Sequence, residues 1–497
     1  MQDARTRSTR GRARSALLVL LTALAVALGA DPALAIDAAG GDARLAKRLD
    51  TALRVPALRG ARVSALVVVD GSGETIFERT PDRPLTPASN AKVLTAIAAL
   101  NAFGPTYQFE TEVRSDAPPD EAGAVGRLAV RGVGDPVLNS EDWWRLAAAL
   151  RHEGLRRIRG DLVLDDSAFD RHRWHRRWGR TSSRAYHAPV GALNANYGAF
   201  EVSVTPGDAP GEPVAVAVSP PVPYLEVSNA AKTGSPGARS SLVVDRRARP
   251  GGETVVVRGT MPAGGSPRTY YRSVLDPTGY AGAVFRMQLE AVGISLEGAL
   301  VRGDARALGY ELMRFKGRPL SEIVRLFVKY SNNTVAETLV KALGAREGAI
   351  GSWENGVPEV GRSLAEMGID GEGIALVDGS GLSYENKVSP RALVDALRAA
   401  RHSFDFGPEF VSALPIAASD GTLAERANGA HHRVRAKTGL LNGVTGLSGF
   451  ARLGDGRLAV FSVLVNGYRS GDDLAMGALD GFVSELVAAS GGATASR

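Results

Sequence analysis

The chain has 497 residues, 44% of them hydrophobic, no cysteine and a formal net charge of +6. The lack of cysteine excludes thiol catalysis and disulfide staples, and the length allows two or three domains with sizeable cores. Five of the arginines precede residue 15, so the basic balance is local and gives little ground for nucleic acid as a partner.

Those arginines (Arg5, Arg7, Arg10, Arg12 and Arg14) lead into an apolar run from Ala16 to Leu28. Ala33-Leu34-Ala35 then supplies the small-x-small pattern of a signal-peptidase site. A membrane span needs about 20 apolar residues, more than this run offers. Residues 1–35 therefore read as a signal peptide, with an uncleaved anchor as the alternative. No two arginines in it are adjacent, which favours the general secretory route. Its removal takes away five arginines and two aspartates and halves the net charge. No later apolar stretch is long enough to span a membrane.

Ala65–Val69 is a continuous apolar run, fitting a buried strand, and Gly71-Ser72-Gly73 can turn it into a second strand over Glu74–Arg79. Pro84 and Pro87 break the chain before Ser89–Phe103, whose Ala and Leu content predicts a buried helix. From Tyr107 to Gly303 short apolar runs such as Leu128–Val130, Leu162–Leu164 and Val255–Val257 alternate with turn-rich pieces, a β-rich texture. Helical texture returns at Leu320–Lys329, Thr334–Leu343 and Pro390–Ala400, the last with Ser389 as N-cap. Gly446–Leu453 and Leu458–Val465 bracket Gly454-Asp455-Gly456 as a hairpin, and a helix over Asp472–Ala488 closes the chain. The end portions, 36–106 and 304–497, are expected to form one α/β domain interrupted by an insert, 107–303, of two subdomains.

Three short strings carry chemistry. Ser89-Asn90-Ala91-Lys92 opens the first helix, where residues three apart share a face, so Ser89 Oγ and Lys92 Nζ can meet. A helix N-terminus also favours developing negative charge. Ser331-Asn332-Asn333 lies between two helical segments; its bland reading is a capped helix-to-helix loop. The functional reading sets Ser331 Oγ between the lysine and a leaving nitrogen, with Asn333 on the substrate backbone. Lys437-Thr438-Gly439 precedes strand-rich sequence. There Lys437 and Thr438 can hold a substrate carboxylate, and Gly439 permits close approach of a backbone. Each string alone is weak, but the ordered set S-x-x-K, S-x-N, K-T-G is specific.

With these motifs the chain resembles the low-molecular-mass class C penicillin-binding proteins, D-alanyl-D-alanine carboxypeptidases and endopeptidases. Pro87–Lys92 with Thr95-Ala96, Tyr330–Asn333 with Ala336-Glu337, Asp378–Ser383 and Asp420–Leu423 are all similar to stretches of that family. So is the wide gap between Ser89 and Ser331, where the family inserts accessory domains. The resemblance implies a serine β-lactamase-like transpeptidase fold. It implies acyl transfer through an ester on Ser89, with Lys92 as base, its pKa lowered by burial and by Lys437. Ser331 would be the proton relay. Asn333, Lys437, Thr438 and Gly439 would bind substrate, and the backbone N–H groups of Ser89 and Leu440 would form the oxyanion hole. Leu440 stands where the family has a small hydroxyl residue, and Tyr384 where relatives often have arginine.

In the insert, Leu164–Phe169 resembles a stretch the family places beside the cleft, so Asp165 is a candidate for meeting the amine of a diaminopimelate-like side chain. A simple Asp/Ser turn is the equal alternative. Arg171–Arg180 reads as a solvated loop, and His172-x-x-His175 and His431-His432 as surface histidines without a third metal ligand. No cofactor or metal is expected. The implied partners are peptidoglycan peptides and β-lactam antibiotics in the periplasm or cell envelope. Peripheral membrane association and oligomeric state stay open. Rival functions are a β-lactamase and a non-catalytic cell-wall binding protein.

Overall fold

The computed structural model describes residues 32–488, with no side-chain description for 32–40. The signal-peptide segment lies outside the described residues apart from Pro32–Ala35, which fall in the first turn of helix α1 (Pro32–Ala52). Strands β1 (Arg62–Val69) and β2 (Thr75–Arg79) follow, then helix α2 (Ala91–Phe103). Beyond the insert come α3 (Leu320–Tyr330), α4 (Asn333–Gly344), α5 (Trp353–Glu366) and α6 (Pro390–His402). Strands β3 (Val434–Leu441), β4 (Val444–Arg452) and β5 (Leu458–Asn466) and helix α7 (Asp472–Val487) complete the chain.

The five strands form one antiparallel sheet in the order β3-β4-β5-β1-β2. β1 pairs with β5 from Arg62↔Asn466 to Val69↔Ala459, so the two ends of the chain build one sheet. Both faces are covered, which explains the unbroken apolar run at Ala65–Val69. Leu66 and Val68 point into a helical core with α2 to α6, whereas Ala65, Val67 and Val69 pack with α1 and α7. The alternation of period two thus divides one strand between two cores. α2 is buried on every side from Ala91 to Leu100, and its alanines let the neighbouring helices approach.

The insert leaves and rejoins the catalytic portion at adjacent points: Leu320 N donates to Tyr107 O (2.8 Å) and Ser321 N to Pro105 O (2.9 Å). Its largest sheet has five strands, Leu300–Arg302, Leu162–Asp165, Leu128–Arg131, Gln108–Ser115 and Tyr310–Pro319, in that order. The last strand pairs with Gln108–Ser115, so Tyr310–Pro319 shares a sheet with strands of the expected insert. Period-two alternation in Gln108–Ser115 requires a partner, and Tyr310–Pro319 supplies it.

The insert is also less purely β than its texture predicts. Helices Ser140–His152 and Pro277–Ala291 pack together, with the Trp143 and Phe285 rings 5.0 Å apart. The first is fixed by a capping box between Asn139 and Asp142 that the polar string Asn139–Asp142 disguises as a loop. One apolar cluster runs through the four sheets and these two helices of the insert.

Candidate active site

The turn before α2 carries Ser89 in a single 3-10 turn, Ala88–Asn90, that leads into the helix. Ala88 adopts a left-handed φ of 47°, and the close neighbour that makes this workable is Gly381. A Cβ there would lie 1.9 Å from Ala88 O. A Cβ on Gly439 would lie 2.7 Å from Pro87 O and 2.5 Å from Asn90 Nδ2. The glycine of the third motif therefore admits the nucleophile's own turn against β3, a different role from the substrate approach expected of it.

Lys92 is completely buried, and its Nζ contacts three oxygens: Ser89 Oγ at 2.9 Å, Asn333 Oδ1 at 2.7 Å and Ser380 O at 2.7 Å. A neutral amine has two N–H bonds and one lone pair. The amide and main-chain oxygens are acceptors only, so they take the two N–H bonds and leave the lone pair facing the Ser89 hydroxyl. The Asn333 amide is oriented for this because its Nδ2 donates to Tyr186 O at 3.0 Å. Burial lowers the Lys92 pKa to about 7, against the partial opposition of the Glu337 and Asp378 carboxylates. Burial, rather than Lys437, is the cause.

Ser331 ends α3 with a left-handed φ of 59°, a position where glycine or asparagine is usual. Asn332 caps α4, its side chain accepting from Val335 N at 3.1 Å. The capping and functional readings of this string are thus compatible, since the cap residue aims its two neighbours at the two lysines. Lys437, on edge strand β3 and fully buried, donates to Ser331 Oγ at 2.9 Å and to Thr438 O at 2.7 Å. Its pKa is held well below the ordinary lysine range by burial and by repulsion from Lys92. Thr438 donates to Thr422 Oγ1 at 2.7 Å. Leu440 is on the same strand and 43% exposed at the rim.

Three supporting groups lie in stretches that the resemblance singled out without giving them a role. Glu337, one turn after Asn333, is fully buried and accepts from Ser380 N (2.7 Å), Gly379 N (3.1 Å) and Trp353 Nε1 (2.7 Å). It thereby fixes the backbone whose carbonyl meets Lys92. Burial, then the nearby Asp378 carboxylate, raise its pKa to about 7. Asp378 gathers the N–H groups of Gly381 (2.8 Å) and Ser383 (2.7 Å). It also accepts from Trp178 Nε1, at 2.9 Å, out of the insert. Thr422 is held in place because Lys329 bonds Asp420 Oδ2 at 2.7 Å.

Two expectations are corrected. Asp165 is buried and engaged in the insert: its carboxylate accepts from Ser167 N (2.9 Å) and Ala305 N (2.8 Å) and sits beside Arg131. It is the turn former, with no face open to a substrate amine. The Arg171–Arg180 segment is a strap more than a solvated loop. Lys341, itself buried, holds Asp170 (2.6 Å) and His172 O (2.6 Å); Trp174 Nε1 donates to His187 O (2.8 Å); Arg177 pairs with Glu385. His175 is half-buried against Trp353, and burial lowers its pKa. His431 and His432 lie on the surface as expected.

A buried lysine against a serine at a helix start, a second serine–lysine pair and an open sheet edge together define a serine acyl-transfer hydrolase. The family model for the D-Ala-D-Ala carboxypeptidase 3 (S13) family matches residues 45–486, and the chain belongs to that family. It is 38% identical to a D-alanyl-D-alanine carboxypeptidase of an Actinomadura species, over 96% of this chain and 91% of that one. It is 29% identical to the D-alanyl-D-alanine carboxypeptidase DacB of Haemophilus influenzae, over 82% of this chain and 84% of that one. The crystal structure of penicillin-binding protein 4 from the same organism superposes with a TM-score of 0.74 at 26% identity, covering 88% of this chain and 98% of the other. The same protein has been crystallised with a β-lactam, and that structure gives a TM-score of 0.70 at 27% identity. A peptidoglycan endopeptidase of Bdellovibrio bacteriovorus, at 14% identity and a TM-score of 0.51, shares the fold. The penicillin-binding fold and a serine carboxypeptidase activity are thereby shown for this chain.

Proposed function

We propose that the protein removes the terminal D-alanine from peptidoglycan stem peptides through an acyl-enzyme on Ser89, and also cuts D,D-cross-links. The observation that carries this is the Lys92 amine, fixed by two pure acceptors with its lone pair toward Ser89 Oγ at 2.9 Å. Ser89 Oγ attacks the penultimate D-alanine carbonyl and its proton passes to Lys92. N–H groups of Ser89 and Leu440 receive the oxyanion, and an oxyanion-hole donor is worth about 2.7–4 kcal/mol. The C–N bond then breaks, and the proton reaches the leaving nitrogen through Ser331. Water attacks the ester with Lys92 again taking a proton, and the stem peptide leaves as its carboxylate.

A substrate carboxylate near Lys437 and Thr438 would return the positive charge that burial disfavours on Lys437. Asn333 and Gly439 flank the path of the acyl chain. A β-lactam acylates the same serine. Action on the cell wall entails export, for which residues 1–35 provide the signal, into the periplasm or cell envelope. No helix among the described residues is long and apolar enough to cross a membrane. We take the catalytic portion to be bipartite, with the insert running to Pro319.

Purified protein given a pentapeptide and a cross-linked dimer should release D-alanine from the first and cleave the second, read by mass spectrometry. Ser89→Ala should do neither. Release of D-alanine with the dimer intact would remove the endopeptidase half of the proposal. Rapid turnover of nitrocefin in place of stable acylation would support the β-lactamase reading instead.

A further inference from the structure

The insert holds a cavity of about 1070 Å³ whose lining includes no residue of the three catalytic motifs. Its walls are helix Pro277–Ala291, the strand Leu300–Arg302 and the segments around Tyr224 and Arg249. Concave spaces of this kind, largely apolar with a few polar groups, are where small ligands bind. Pro221, Pro223 and Met287 supply apolar surface. The charges in the wall balance, Arg249, Arg286 and Arg302 standing against Glu253, Asp276 and Glu290. Arg302 pairs with Asp276, and Arg286 Nε lies 2.9 Å from Glu290. Such a wall gives an ion no net attraction, while its guanidinium and carboxylate groups keep donors and acceptors to spare. Glu253, 1% exposed, accepts at Oε1 from Tyr224 Oη (2.8 Å) and Leu275 N (2.7 Å). Its Oε2 makes no hydrogen bond, and Arg246 Nε stands 3.6 Å off.

The strand adds unpaired main chain. Leu300–Arg302 is the edge of the five-stranded sheet. Leu162 N donates to Ala299 O (2.9 Å) and Gly303 N to Leu164 O (3.2 Å), so residues 299, 301 and 303 turn their backbone to the neighbouring strand. The N–H and C=O groups of Leu300 and Arg302 therefore point the other way, where no strand pairs with them, and both residues line the cavity. An acetamido group carries one N–H and one C=O, the complement of one such edge residue. An edge of three residues is too short to recruit a whole strand, which favours a small ligand over an added peptide.

We propose that this cavity binds a short run of N-acetylated amino sugars, the sugars of the glycan strand to which stem peptides are attached. Acetamido groups meet the main chain of Leu300 and Arg302, and sugar hydroxyls meet the paired side chains. The assignment rests on the reading that peptidoglycan is the substrate. It makes the insert a holder of the polymer, which raises the local concentration of stem peptides at Ser89.

The test uses the full chain and two sugars, the β-1,4-linked tetramer of N-acetylglucosamine and cellotetraose, which has hydroxyls in place of the acetamido groups. Calorimetry should show the acetylated tetramer binding at least about tenfold more tightly than cellotetraose, the scale of one or two hydrogen bonds. Leu300→Pro removes the outward N–H and keeps the pairing with Leu162–Leu164, since proline is tolerated on a sheet edge. Ala248→Trp, on the exposed rim, fills the space. Both should weaken the acetylated tetramer by about tenfold or more while penicillin labels Ser89 as before. Both should also raise KM for D-alanine release from glycan-linked pentapeptides and leave the free pentapeptide unaffected. Equal binding of the two sugars, or no binding of either, would overturn the proposal. So would tetramer binding that survives both substitutions. If the free pentapeptide is not cleaved while the acetylated tetramer binds selectively, the carboxypeptidase reading fails and the sugar site stands.

Discussion

At the scale of single residues, the Lys92 amine proposed as base depends on a carboxylate that touches neither it nor Ser89. Glu337 offers two oxygens to three N–H groups, and through Ser380 it sets the direction of one Lys92 N–H bond. Glu337→Gln leaves one acceptor oxygen and turns an amide N–H toward donors. Acylation by labelled penicillin should fall by about 100-fold, the scale of a small misplacement at a reacting centre. The pH midpoint of what remains should move down, because a negative charge that raises the Lys92 pKa has gone. An unchanged midpoint would show that Glu337 acts on backbone position alone. That Ser89, Lys92, Ser331, Asn333 and Lys437 would be grouped was legible in the sequence, because three local strings carry them. The role of Glu337, within a stretch the resemblance named, and that of Trp178 were not: a buried Glu on an amphipathic helix shows no partner in the sequence, and the Trp178 bond to Asp378 joins residues 200 apart.

Among elements, the decisive contact is β3 against the nucleophile turn. Gly439→Ala would place a methyl group against Pro87 O and Asn90 Nδ2, and backbone cannot yield as a flexible side chain can. Penicillin labelling should be lost while far-UV circular dichroism stays as before; full labelling would show that the turn and strand can separate at little cost. A second element-scale case is Asp135, after strand Leu128–Arg131. Burial raises its pKa to about 7, and Oδ1 accepts from Val137 N at 3.0 Å. A raised carboxyl pKa favours the folded state least above that value, where the group must ionise in place. Asp135→Asn should therefore raise the melting temperature at pH 8, with the gain shrinking toward pH 4; a gain independent of pH would contradict this. Helix α5 was not among the expected elements; Gly356 and Pro358 are residue types that ordinarily weaken a helix, yet a Cβ on Gly356 would fall 1.9 Å from Val340 O, so the glycine admits α4.

For the whole molecule, the ends of the chain build one sheet, and the insert is tied to their portion at its neck, through the strap and at Tyr186. The hairpin signal at Gly454-Asp455-Gly456 and the buried run at Ala65–Val69 made the two halves legible. The pairing of Tyr310–Pro319 with Gln108–Ser115 was not, since β pairing across about 200 residues leaves no local mark. Excising 107–303 should therefore leave Tyr310–Pro319 as an unpaired edge and drive aggregation, whereas excising 107–319 should give more soluble protein. Equal solubility of the two would place the boundary elsewhere. The central claim, that Ser89 is activated by a lysine made neutral by burial, is tested by following penicillin acylation with intact and peptide mass spectrometry from pH 5 to pH 9. The adduct should map to Ser89 and its rate of formation should rise with a midpoint near 7 and then level off. An adduct on another residue, or a rate still climbing toward the ordinary lysine value of 10.5, would contradict it.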